Sequence, residues 1–261
     1  MFNLGFDRRT IVIVLVVILG LKLMAGGIQG IEYLLLTIPG VLIALTFHEF
    51  AHAWAANKLG DETPRVQGRL NLNPLSHIDP VGFIFLIVAG FGWGKPVQID
   101  PRNFNGKHSI SKAEAIVSVA GPIMNFILAF IFLIFTNLIF IYWPEAQEQY
   151  YLYITENVSF TSLGWPGLVF LIVQNIAVIN IGLGIFNLIP LPPLDGSKVL
   201  IHFLPYNGKQ WFYNNQQIFY ILFLVLLLTD SISIMLMKLV NLVGSGMEWV
   251  VYNIFKLLTL I

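Results

Sequence analysis

Long apolar runs dominate this chain, and its polar positions gather between them. The first run covers residues 10–27, behind Arg8 and Arg9. Its basic lead also fits a secretory leader, but Lys22 within the run and the lack of a small-residue cleavage site favour an uncut span. A second run covers residues 31–57. A polar stretch rich in Pro and Gly follows, from Lys58 to Lys112, broken by the apolar residues 81–91. That break is too short for an ordinary span and reads as a re-entrant or interfacial piece. Further runs cover residues 113–143, 165–189, 216–229 and 231–258, and the one at 165–189 ends in Pro190-Leu-Pro-Pro-Leu-Asp-Gly196. Trp93-Gly94-Lys95-Pro96-Val97-Gln98-Ile99 alternates weakly, which predicts a short strand or hairpin at the membrane surface within residues 81–104. The pattern predicts an all-α polytopic membrane protein with about six transmembrane helices and a short membrane-associated β-hairpin or re-entrant segment. Residues 1–261 read as one domain, with no internal repeat.

Composition agrees. The chain is 57% hydrophobic and 11% charged, which is too apolar for a soluble globule. Its formal net charge is zero, so nothing global points to nucleic acid. It has no cysteine, which excludes disulfides, thiol nucleophiles and Cys-ligated zinc. Charge does change the picture through its distribution. Lys58, Arg65, Arg69, Lys95, Arg102, Lys107 and Lys112 fall in one loop, whereas residues 144–164 carry no Lys or Arg but do carry Glu145, Glu148 and Glu156. By the positive-inside rule, six spans put both termini in the cytoplasm, in a membrane of prokaryotic type. The ends of the second and fourth spans then meet at the cytoplasmic leaflet.

Chemistry concentrates at those two ends. His48-Glu49-Phe50-Ala51-His52 is an H-E-x-x-H pentad inside an apolar run. Two histidines four apart lie one turn apart on one helix face, so both can reach one metal ion, and the glutamate falls close enough to act on water there. Ionisable side chains at membrane depth are expensive and rarely lack a function. The alternative for the histidines is a hydrogen-bonded polar pair within a bundle, which would leave Glu49 without a partner. A catalytic zinc usually takes three protein ligands and keeps one open position. Asp195 is the preferred third ligand, with His77, His108, His202 and scattered carboxylates as other candidates; its bland reading is an Asp-Gly turn. Glu49 has the spacing of a general base. Asn125, Asn180 and Asn187 are amides at membrane depth that could donate to an oxyanion or to substrate backbone, or simply bond between helices.

These elements together resemble the site-2 proteases, the intramembrane zinc metalloproteases. The resemblance rests on the pentad, on Arg69-Leu-Asn-Leu-Asn-Pro-Leu-Ser-His77-Ile-Asp-Pro80, and on Gly92-Trp-Gly-Lys-Pro-Val97 with Asp100-Pro-Arg-Asn-Phe104. It also rests on Gly121-Pro-Ile-Met-Asn125 and Asn187-Leu-Ile-Pro-Leu-Pro-Pro-Leu-Asp195-Gly196. It implies one zinc ion per chain held by His48, His52 and Asp195, with Glu49 activating water. It implies that Asn125 and Asn187 help bind substrate or stabilise the intermediate, and that Gly94, Lys95, Pro96 and Val97 lie in a hairpin beside the active site. The implied partners are the lipid bilayer and a protein substrate cut within or near its transmembrane segment. Ala51 and Ser197 depart from common family residues, but both are small. The minimal membrane core is expected, without PDZ or CBS domains. Rival readings are a metal-binding membrane transporter, a non-catalytic scaffold, and another membrane zincin with a Glu ligand.

Overall fold

The computed structural model describes residues 36–83, 94–156, 158–159, 162–229 and 231–258. The expected first span, the start of the second and most of the run 81–91 lie outside the described residues.

Helix α1, Leu36–Lys58, carries the pentad in its second half. It stops because Gly60 takes φ +103°, a conformation that suits glycine. Gly60 N–H then donates to Asn57 O at 3.1 Å and Asp61 N–H to Ala56 O at 3.0 Å, the paired bonds of a Schellman cap. The loop beyond is built from short local turns. Helix α2, Thr63–Val66, starts on Pro64, and α3, Pro74–His77, starts on Pro74 with the Asn73 side chain accepting Leu75 N–H. Proline suits both starts because its missing N–H would be unpaired there anyway.

Helix α4, Ile110–Tyr142, has 33 residues, is capped by Ser109 and contains Pro122. It is followed by the amphipathic α5, Pro144–Thr155, and by α6, Trp165–Leu188. Trp143 and Trp165 meet edge to face with centroids 4.5 Å apart at this end of the bundle, where aromatic side chains suit a membrane boundary. Helix α6 cannot run past Ile189, whose extended backbone leads into Pro190. The Pro-rich turn delivers α7, Asp195–Phe203, followed by α8, Tyr206–Asn214, α9, Gln216–Leu228, and α10, Ser231–Leu257.

Among the described residues, four helices, α1, α4, α6 and α10, are long and apolar enough to cross a membrane. The chain is an all-α membrane protein. Its largest apolar core joins α4, α6 and α10 through Ala129, Leu133, Ala177, Ile181, Val251 and Phe255. On α1, Gly40 lets α6 come close: a Cβ there would lie 2.6 Å from Ile179 Cδ1. The fifth expected span differs. Helix α9 has 13 residues, short of the ~20 a helix needs to cross hydrocarbon. The strand expectation is met only by an extended segment. One isolated antiparallel bridge pairs Gly94 with Ile78, and no ladder exists among the described residues.

Candidate metal centre

Four elements meet at the pentad. Helix α1 supplies His48 and His52, and the first residue of α7 supplies Asp195. Helix α4 supplies Gly121, Asn125 and the Val117 carbonyl, and α6 supplies Asn180. His48 and His52 are 4% and 7% exposed, and Asn125 and Asn180 are fully buried. His48 Nε2 lies 3.0 Å from His52 Nε2, and each lies 3.1 Å from Asp195 Oδ2.

The hydrogen bonds behind the rings decide what those three atoms carry. His52 Nδ1 is 2.7 Å from the Val117 carbonyl, which can only accept. Pro122 lies one turn further along α4, where its missing N–H leaves the adjacent Ser118 carbonyl without its helical donor. His48 Nδ1 is 2.7 Å from Asn125 Oδ1. The Asn125 amide orientation follows from its other end, where Nδ2 donates to Ala44 O at 3.1 Å and to Asn180 Oδ1 at 2.9 Å. Asn180 Nδ2 in turn donates to Ile176 O at 2.8 Å. Both imidazoles therefore hold their proton on Nδ1, and both Nε2 lone pairs face a carboxylate oxygen. With both rings neutral, three potential ligand atoms about 3 Å apart face one another, an arrangement that suits a shared cation.

The triad fits zinc in size. Tetrahedral zinc with N and O bonds of about 2.0–2.1 Å has ligand–ligand edges of roughly 3.3 Å, close to the observed triangle. Space is kept for the ion by a glycine. A Cβ on Gly121 would lie 2.6 Å from His52 Nε2 and 2.7 Å from His48 Nε2. Gly196 does the same for Asp195: a Cβ there would lie 2.6 Å from Ile189 O and collide with the Leu188 carbonyl. Only glycine lets the start of α7 fold back onto the end of α6.

Glu49 is half-buried and points away from the triad's supporting amides. Its Oε2 accepts Val97 N–H at 3.1 Å. The extended segment thus lies directly on Glu49, and a Cβ on Gly94 would sit 3.4 Å from Glu49 Oε1. Lys95 N–H donates to His77 O at 2.7 Å. Lys95, Pro96 and Gln98 are exposed. The Pro96 carbonyl and the Gln98 backbone N–H have no partner among the described residues.

The other expected residues are distributed unevenly. Asn125 touches the site, but its amide is committed to His48, Ala44 and Asn180, so it has no donor free for a substrate. Asn187 is half-buried and donates to Leu183 O in its own helix. His77 is fully buried and donates through Nε2 to Asn71 O, 2.7 Å away; neither it nor His202 joins the triad. Sequence reasoning passed over Asp61, which is fully buried and gathers four hydrogen bonds. The available signal was Gly60-Asp61-Glu-Thr63-Pro64, a helix stop followed by an Asp-x-Thr turn.

The profile of peptidase family M50 matches residues 36–229. A Bacillus subtilis protein, provisionally named zinc metalloprotease YwhC, is 37% identical over 209 residues, which is 80% of this chain and 86% of its own. A Mycolicibacterium smegmatis protein, provisionally named zinc metalloprotease Rip2, is 28% identical over 80% of this chain and 74% of its own. Zinc metalloprotease MJ0392 of Methanocaldococcus jannaschii is 23% identical over 73% of this chain and 40% of its own. No solved structure gives a significant match.

Proposed function

The chain belongs to peptidase family M50, the site-2 proteases, and from that premise we propose that His48, His52 and Asp195 hold its zinc and that Glu49 is its general base. The protein is an intramembrane zinc metalloprotease. One observation carries the assignment of residues: two Nε2 lone pairs and a carboxylate oxygen converge within 3.1 Å, each imidazole being pinned from behind through Nδ1. When bound, the ion supplies Lewis acidity that polarises the scissile carbonyl and makes water nucleophilic near neutral pH.

The chain's own residues do the rest. Glu49 Oε2 is occupied by Val97 N–H, which leaves Oε1 to take a proton from water and hand it to the departing amine. Asn125 acts on His48: its Oδ1 keeps the Nδ1 proton in place and leaves Nε2 for the ion. Asn187, in the same helix as Asn180, lies nearer the Pro-rich turn and is assigned to substrate contact. The transmembrane substrate presents a second problem, because a helix engages each of its own amides. The exposed edge of Gly94-Lys95-Pro96-Val97-Gln98 carries an unpaired carbonyl and N–H, which suit an unwound substrate strand. The active site faces the cytoplasm, a reading supported by the basic loop on its side and the acidic segment at the other end.

The test uses purified protein in detergent, comparing wild type with Glu49→Gln. We expect stoichiometric zinc in both and cleavage of a transmembrane peptide by wild type alone. Undiminished cleavage by Glu49→Gln would remove Glu49 from the mechanism.

A further inference from the structure

Resting on the assignment of Glu49 as base, we propose that Asp61 is a positioning residue that holds the extended segment against the Glu49 carboxylate. Besides Glu49, backbone hydrogen bonds tie the segment down at its start and at its end, and an exposed side-chain bond joins Gln67 Nε2 to Gln98 Oε1 at 2.7 Å. At its start, Lys95 N–H donates to the carbonyl of buried His77 at 2.7 Å. At its end, Asp100 N–H donates to Asp61 Oδ2 at 2.8 Å. Val97, between these anchors, donates to Glu49 Oε2 at 3.1 Å. Ile99 and Phe104 add apolar contact with Ala55, Ala56 and Val117.

The two oxygens of Asp61 do different work. Oδ1 holds the local turn, accepting from Thr63 N–H at 3.0 Å and from the Thr63 hydroxyl, and it also takes the Nδ2 of distant Asn103 at 3.1 Å. Oδ2 reaches Asp100, 39 residues away in sequence. Asp61 itself is set by the Schellman cap of α1, the helix that carries Glu49. The contacts close a ring: α1, Asp61, Asp100, Val97, Glu49 and α1 again. The helix that carries the base also carries, at its end, the carboxylate that orients it. A plain turn-capping residue would need only the two contacts to Thr63.

An asparagine separates the two roles. With its oxygen kept on Thr63, the amide of Asp61→Asn would face the Asp100 N–H, donor against donor. The experiment uses the full chain, zinc-loaded, in detergent micelles, as wild type, Asp61→Asn, Val97→Pro and Thr63→Val. Three quantities are read: zinc content, kcat and KM on a synthetic transmembrane peptide with a central Gly-Pro break, and amide exchange across residues 94–104. In Asp61→Asn we expect unchanged zinc and faster exchange in that segment, with α1 still protected. We expect kcat to fall by about 10- to 100-fold, the size of effect a misplaced catalytic group produces. Val97→Pro removes the N–H that Glu49 accepts, leaves Asp61 intact and should lose kcat similarly. Thr63→Val should keep wild-type kcat. Wild-type kcat in a folded, zinc-loaded Asp61→Asn overturns the proposal, as does unchanged exchange. Should Asp61→Asn fail to fold, wild-type kcat in Val97→Pro overturns it instead. Failure of the base assignment is separately visible, because Glu49→Gln would then cleave while the exchange data still report the anchor.

Discussion

In the membrane helices a set of polar side chains turns back on its own backbone. Thr46, Thr136, Asn137, Asn175, Asn187 and Asn253 each donate to the carbonyl four residues earlier in the same helix. In the loop after α1 they do the opposite. Asp61, Asn73, Asp79 and Asp100 accept backbone N–H groups ahead of them, and Asp61 also accepts from the distant Asp100 N–H. The difference follows from solvent. With no water in the hydrocarbon, a hydroxyl or amide closes onto the nearest carbonyl. Loop backbone has no helical ladder, so its N–H groups need side-chain partners. Against that background the exceptions stand out. Asn125 leaves its own helix for His48, Ala44 and Asn180, and it does so at the metal centre.

The largest effect should come from the glycine that keeps the centre open. Gly121→Ala places a methyl where the two Nε2 atoms converge. We expect zinc to be absent from the purified protein and cleavage to fall to background; normal zinc content would mean that the ligands can move aside. Asn125→Leu comes next. It leaves the buried His48 Nδ1–H without an acceptor, which costs about 1–3 kcal/mol, so zinc affinity measured against a chelator should fall by roughly 10- to 100-fold. Asn180→Leu should weaken zinc less, because Asn125 keeps its bond to Ala44 O. The contrast sharpens with Asn175→Leu, whose side chain serves only its own helix. Zinc affinity should stay at the wild-type value, and stability should change by about 0.6 kcal/mol or less, the usual scale for a polar contact within a membrane. If Asn175 and Asn125 behaved alike, the distinction between inward-closing and bridging amides would fail.

The smallest effect concerns pH. Burial works against ionisation of Asp61, but the Thr63 hydroxyl, Asn103 and the N–H groups of Asp100 and Thr63 outweigh it and hold the carboxyl below its usual 3.8. A depressed folded-state pKa means that the stabilisation is fully present above the unfolded value and is lost as pH falls through the folded one. Docking of residues 94–104 should therefore not change between pH 7 and pH 5. Amide exchange corrected for intrinsic rate, loosening within that range, would show that another group controls the segment.

Much of this molecule could be read locally. The apolar runs located α4 and α6 to within a few residues, because helix length in lipid is set by thickness. At residues 216–229 the apolar run forms a helix of 13 residues, shorter than the other apolar helices. The pentad spacing placed His48 and His52 on one face because both belong to one helix. For the amide of Asn125 both a substrate contact and a bond between helices were open; that it is used up behind His48 depends on Asn180 in α6, 55 residues away.

By itself, then, the sequence determined the membrane class, the paired histidines with Glu49 between them, and the family. Each of these rests on short-range periodicity or on motif order. Only the tertiary structure decided that Asp195 closes the triangle, that Gly121 leaves room within it, and that Asp61 meets the Asp100 N–H at the end of the segment over Glu49. Those facts depend on the close approach of helices far apart in the chain, and sequence spacing carries no record of distance across a bundle.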